Sequence, residues 1–212
     1  MIKTTHMQKL DAFVRYIKKS VWPAYMGCLW AVMYAVFVRF YQAAGGMIGV
    51  SGEFYDPEVF HMASYIAGVQ IMACGFALIA LVKPWGKVVP VWMPLIGGRK
   101  IHRLILLIPT LCGSAFLLAH GFSGIITKAL HLAGVITMHF PGWKVLDVHR
   151  LVLWDLFFYE PWFIIMGILS ALAALHYAQV SGVQSTALRR KTMIFLSIVI
   201  LLTTLVVFAV IF

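Results

Sequence analysis

Acidic residues are scarce in this chain. Seven Asp and Glu stand against 17 Lys and Arg, and charged residues of both signs make up only 11% of the 212 positions. A soluble domain usually carries about 25% charged residues, so a water-facing surface over the whole chain is excluded. Cysteine is sparse as well. Cys28, Cys74 and Cys112 all fall inside apolar stretches and none belongs to a CxxC pair, which reads as small buried side chains rather than a disulfide framework or a thiol-redox centre. The sequence has no glycine-rich phosphate loop, no GxSxG and no HExxH, so the common local signatures of nucleotide binding, serine hydrolysis and zinc proteolysis are missing. It also shows no internal repeat and no polar stretch long enough to form a soluble domain.

What the chain has in quantity is apolar surface: 62% hydrophobic residues and a mean hydropathy of +0.93. Lipid is the solvent that such a composition fits. The net charge of +10 does not point to nucleic acid, because the basic residues fall in short blocks between apolar spans, the pattern that orients a membrane protein. The expected fold is therefore an all-α integral membrane protein, a bundle of five transmembrane helices built as a four-helix core plus a C-terminal span. The spans are expected at about 22–43, 57–83, 104–127, 157–177 and 193–212, in one transmembrane unit covering 22–212. Before them, residues 1–21 hold five Lys or Arg and one acid, with Leu10, Phe13, Val14 and Ile17 at helical spacing. They read either as a basic amphipathic helix on an anionic membrane face or as a solvated tail.

Local signals divide the spans. Asp56-Pro57-Glu58 supplies an N-cap, a proline at the first helical position and an acid in the first turn, a strong helix start. Ser64, Ala67, Gly68, Ile71 and Gly75 form a small-residue seam. Pro109, Gly113, Phe116, His120, Ser123 and Thr127 share one face of the third span, expected to turn toward the bundle. Residues 84–103 are broken by proline and glycine, and residues 133–153 read as an irregular stretch resting at the interface. Counting Lys and Arg gives five at the N-terminus, none in the first loop, about five in the second, three in the third and three in the fourth. The expected topology is then N-terminus inside and C-terminus outside, in a bacterial inner (plasma) membrane. Six of the seven acids and five of the eight histidines would lie toward the outer face.

Glu160 is the leading candidate residue. It sits one turn inside an otherwise apolar span, where a carboxylate is costly and is paired or functional. Arg39, near the far end of the first span, either snorkels to the headgroups or pairs with Glu160 at a similar depth. His120 is a neighbour for either arrangement, and Asp155 is expected at the membrane surface just before the span. This set, Glu160, Arg39, His120 and Asp155, would make a structural polar network or a proton- or cation-binding site. A second set, Glu58, His61, His120 and His131, offers imidazole and carboxylate to a transition metal. Glu58-x-x-His61 has the spacing used by di-iron bundles, but those need two copies. A bis-His haem would need facing histidines at one depth, which His61, His120 and His176 do not offer, so haem is not expected.

Three stretches carry a likeness: YQAAGGMIGVSG (41–52), PWGKVVPVWMPLIGGRKIHR (84–103) and WDLFFYEPWFIIMGIL (154–169). With ASYIAGV at the start of the second span, they resemble a group of small bacterial polytopic membrane proteins that carry a domain of unknown function. The resemblance covers roughly residues 25–178. It implies a four-span core and names no reaction; the fifth span and the basic N-terminal segment would be additions. Three functional classes stay open: a small transporter-like or accessory subunit with a buried polar network and the bilayer as its surroundings, a membrane-embedded metal-binding protein or metalloenzyme, and a structural subunit of a larger complex. A homo-oligomer would suit a path through so thin a bundle.

Overall fold

The computed structural model describes residues 12, 15–49 and 51–212. Five helices are long and apolar enough to cross a membrane: α1 (Trp22–Ala43), α2 (Pro57–Ala80), α3 (Arg103–Leu132), α4 (Val148–Val180) and α5 (Ala187–Ile211). The chain is an all-α integral membrane protein. The helices pack in the spatial order α2, α1, α4, α3, α5: α4 lies between α1 and α3, α5 leans on the outside of α3, and α2 and α3 barely touch. α5 is almost wholly exposed, as a lipid-facing helix of Ile, Leu and Val should be. Residues 15–19 are helical and Ile17 is buried; most of the rest of the expected amphipathic helix over 1–21, including Leu10, Phe13 and Val14, lies outside the described residues.

Small residues bring the helices close. On α2, Gly68 lies against Phe40 and Arg39, and Gly75 against Ala31 and Cys28, so the expected seam is the one that receives α1. Between α3 and α4, Ser114 donates to the Gly167 carbonyl (2.7 Å), and Gly121 abuts Ile164 and the Glu160 backbone. α1 meets α4 through aromatic packing, with Trp30 stacked on Trp162 (ring centroids 4.3 Å) and Trp30 donating to the Trp162 carbonyl (3.2 Å). Asp56 caps α2 by accepting from the Val59 amide (3.1 Å).

Several boundaries differ from those expected. α3 runs to Leu132, which takes Lys128 and His131 out of the loop and into the helix. α4 begins at Val148, capped by Asp147 accepting from the Arg150 amide (3.0 Å), so Asp155 lies inside a helix rather than ahead of one. The stretch 133–153 is not irregular throughout: β2 (Trp143–Leu146) pairs antiparallel with β1 (Gly52–Phe54). Phe54, Phe60 and Trp143 cluster above this pair (Phe54–Trp143 centroids 3.8 Å, Phe54–Phe60 3.9 Å). Of the α3 face expected to turn inward, Ser123 and Thr127 are buried, but the part with Pro109, Gly113 and Phe116 does not enter the bundle, and Phe116 is 66% exposed. With so little contact between α2 and α3, that face borders a crevice, and the buried stripe runs instead through Leu107, Ser114, Leu118, Gly121 and Lys128.

The two ends of the bundle have different characters. At one end the segment before α1, the α2–α3 loop and the α4–α5 turn come together: Arg103 donates to the Ser181 carbonyl (3.1 Å) and His176, buried rather than at the surface, donates to the Ile17 carbonyl (3.0 Å). At the other end the β1–β2 pair ties the α1–α2 and α3–α4 loops together. There Arg150 donates to Ser51 (2.9 Å) and Glu53 pairs with Lys144 (3.4 Å).

Candidate functional site

The polar residues of α1, α3 and α4 converge near the β1–β2 end on a cavity of about 250 Å³. Its lining includes all four members of the expected polar network, Glu160, Arg39, His120 and Asp155, together with Lys128, Tyr34, Gln42 and Tyr159. Phe60 and Trp143 border it on the side of the strand pair. Two π-helical turns place these groups. One, Ala35–Phe40, carries Arg39 in α1; the other, Asp155–Tyr159, leads into Glu160 in α4. A π turn inserts one residue relative to α-helical winding and rotates the next turns of the helix to a new facing, and such turns concentrate at functional sites.

The ion pair at the centre is not the expected one between Arg39 and Glu160. Lys128 takes that place: its ammonium donates to Glu160 Oε1 (2.5 Å) and lies 3.3 Å from Asp155 Oδ2. The Glu160 side chain is 2% exposed and that of Lys128 11%. Gly124, one turn before Lys128 on α3, makes the approach possible, because a Cβ at that position would overlap the Glu160 carboxylate. Buried charges of this kind persist only when paired. Sequence reasoning missed Lys128 because it set the end of the third span at Thr127. The signal was present: Gly121, Gly124 and Lys128 lie one to two turns apart on one helical face.

The pair leaves several polar atoms without partners. Glu160 Oε2, the Tyr34 hydroxyl and Arg39 Nε are buried and have no hydrogen-bond partner among the described residues. His120 Nε2 stands 3.8 Å from Glu160 Oε2, too far for a hydrogen bond. Arg39 donates to Gln42 Oε1 (3.3 Å) and lies over the Tyr34 ring (5.5 Å), and among the described residues no carboxylate comes within salt-bridge distance of it. Tyr159 donates to the Ile48 carbonyl (2.9 Å) and so ties the wall of the cavity to the α1–α2 loop. Chemically the cavity offers one guanidinium seeking an anion, one carboxylate oxygen seeking a donor, and one phenol free to donate or accept.

The expected metal set is not brought together. Glu58 is exposed in the first turn of α2, His61 sits beside Phe60 on that helix, and His131 bonds the Ile136 carbonyl (3.1 Å) at the end of α3. Only His120 of this set lines the cavity. Among the described residues no three His, Cys, Asp or Glu side chains form a group that could hold a metal ion. Glu58 and His61 sit on α2 and the other two on α3, helices that barely touch, and within α3 His120 and His131 are eleven residues, about 16 Å, apart. Comparison with protein-family models, with curated proteins and with solved structures found no match to this chain.

Proposed function

We propose that this protein is a small transporter-like membrane protein, or the accessory subunit of one, whose polar cavity between α1, α3 and α4 binds its ligand or coupling ion. The observation that carries the reading is Glu160. It is 2% exposed, held on one oxygen by Lys128, and left with its other oxygen unpartnered beside a cavity that also takes the free atoms of Tyr34 and Arg39. A network that served packing alone would be better satisfied internally, since an unpaired buried polar atom costs about 1–3 kcal/mol. The distribution of Lys and Arg favours an N-terminus inside and this cavity toward the outside, and the resemblance in the loop motifs favours a bacterial plasma membrane.

The test is flux in proteoliposomes loaded with a pH-sensitive dye. Vesicles with the protein should dissipate an imposed proton or cation gradient faster than protein-free vesicles, and Glu160→Gln should return the rate to the protein-free level while the variant still purifies as a folded species. Equal rates for the protein and its Glu160→Gln variant, or no rate above protein-free vesicles, would overturn transport by this chain itself and leave only the accessory-subunit reading, which retention of a partner on purification then tests.

A further inference from the structure

Next to the polar cavity, and formed by the same four core helices, lies a second space of about 300 Å³ that is apolar in character. Ala31, Gly75, Ala77, Gly113 and Met166 belong to its walls. The aromatic ring of Phe116, which borders it, lies 6.0 Å from the ring of His120, which borders the polar cavity. The two spaces share no lining residue, but they succeed one another, one turn of α3 apart, along the crevice between α2 and α3. That crevice opens sideways, because α2 and α3 barely meet and the side chains of Phe116 and His120 are 66% and 47% exposed.

Depth gives the crevice its meaning. Arg39 lies in the last turns of α1 and Ala31 near its middle, a separation of about 12 Å at 1.5 Å per residue. The charged part thus lies toward the end of the spans, where headgroups sit, and the apolar part near the bilayer centre, where chains end. A lipid in the adjacent leaflet has the same order along the same axis. Charge complementarity sets the head: Arg39 lacks an anion, and Glu160 Oε2 lacks a donor.

We propose that the crevice between α2 and α3 admits a lipid-like amphiphile, its chain in the apolar space by Gly113 and its head in the polar cavity, with a phosphate on Arg39 and an ammonium N–H donating to Glu160. This occupant requires that the polar cavity be a ligand site, the reading proposed for the protein's function. The class that meets both demands is a phospholipid with a primary-amine headgroup. A quaternary ammonium supplies the charge but no N–H for Glu160, and a free headgroup supplies the polar contacts but leaves the apolar space empty.

The test uses the full chain, delipidated in maltoside micelles and titrated with palmitoyl lysophosphatidylethanolamine, palmitoyl lysophosphatidylcholine and O-phosphoethanolamine, with bound species counted by native mass spectrometry. One lysophosphatidylethanolamine per chain should be retained, and the choline lipid and the bare head should each bind at least about tenfold more weakly, given the strength of a charge-assisted hydrogen bond and of a buried chain. Gly113→Leu should fold, since a Cβ there meets no atom within 4 Å, and should weaken the lipid but not the bare head; Ala77→Phe, from the opposite wall, gives the same test should Gly113→Leu not fold. Arg39→Gln should weaken both ligands. If the bare head binds as tightly as the lipid and Gly113→Leu changes nothing, the amphiphile is excluded while a small polar ligand survives. Lipid binding indifferent to both Gly113→Leu and Arg39→Gln would mean annular lipid only and would overturn the proposal. Absence of lipid binding would overturn it too, and the flux measurement then judges the cavity independently.

Discussion

Lys128 carries its ammonium into the bundle from the last turns of α3, and two carboxylates of α4 meet it there. Removing one partner from a buried ion pair leaves the other uncompensated and costs about 3–5 kcal/mol. Lys128→Met should therefore be strongly destabilising, because it exposes Asp155 and Glu160 to each other and to a low-dielectric surrounding. Adding Glu160→Gln should recover part of that loss rather than add to it, since the second change removes one of the stranded charges. A double-mutant cycle by equilibrium unfolding in SDS measures this, and simple additivity of the two losses would show that the pair is not coupled. Gly124 gives a second residue-level expectation whose sign runs against propensity. Ala in place of Gly in a helix interior normally gains about 1 kcal/mol, yet at Gly124 the added Cβ would displace the Glu160 carboxylate. Gly124→Ala should lower the unfolding midpoint, whereas Gly142→Ala, whose Cβ meets nothing within 4 Å, should leave it nearly unchanged; equal midpoints for the two variants would mean that the close approach of α3 and α4 is not required.

The π turn of α1 is the element on which the site depends most. Ala35–Phe40 holds one residue more than α-helical winding would use, and Arg39 lies within it. Inserting one alanine after Phe37, which is 64% exposed, adds a residue that the π turn does not already absorb and should swing Arg39 by roughly 100° away from the cavity. The expected outcome is a protein that still inserts and elutes as wild type but no longer retains the ligand of the polar cavity; undiminished binding would show that the facing of Arg39 set by this turn is incidental. Nothing in AVFVRF marks such a turn, and the same holds for DLFFY in α4: each is apolar around a single charged residue, and the turns pack on other helices, the first against α2 and the second against α3, which a local pattern does not report. The spans themselves were legible, since about 20 apolar residues with interfacial aromatics need no tertiary information. The Asp56 cap and the α2 seam were legible too, being local. The β1–β2 pair was not, because strands of three and four residues far apart in sequence carry no periodic signal of their own. For the site, the chain announced Glu160 through its cost in lipid and grouped Arg39, His120 and Asp155 around it. The partner Lys128 was hidden by a helix end placed one residue short of it, a boundary that hydropathy cannot locate against a single charged residue.

Over the whole molecule the charges separate by end. Among the described residues, the end with the α2–α3 loop carries Arg15, Lys18, Lys19, Lys83, Lys87, Arg99, Lys100, Arg103, Arg189, Arg190 and Lys191 and no acid. The end with the strand pair carries Lys144 and Arg150 with Glu53, Asp56, Glu58 and Asp147. Moving Lys128 from the loop into α3 sharpens this contrast, because a lysine neutralised inside the bundle no longer counts toward orientation. Cytoplasmic loops are the ones enriched in Lys and Arg, so the basic end should face the cytoplasm and the polar cavity, with its strand pair, the opposite side. Single-cysteine variants in a background with Cys28, Cys74 and Cys112 replaced can decide it. Val145 in β2 is 60% exposed and Val91 in the α2–α3 loop 87%, so neither substitution disturbs packing. In intact cells a membrane-impermeant maleimide should label Val145→Cys and spare Val91→Cys until the membrane is permeabilised. The reverse pattern would put the cavity on the cytoplasmic side. The geometry of Lys128, Asp155 and Glu160 would then stand unchanged, but any ligand of that cavity would have to arrive from the cytoplasm or the inner leaflet.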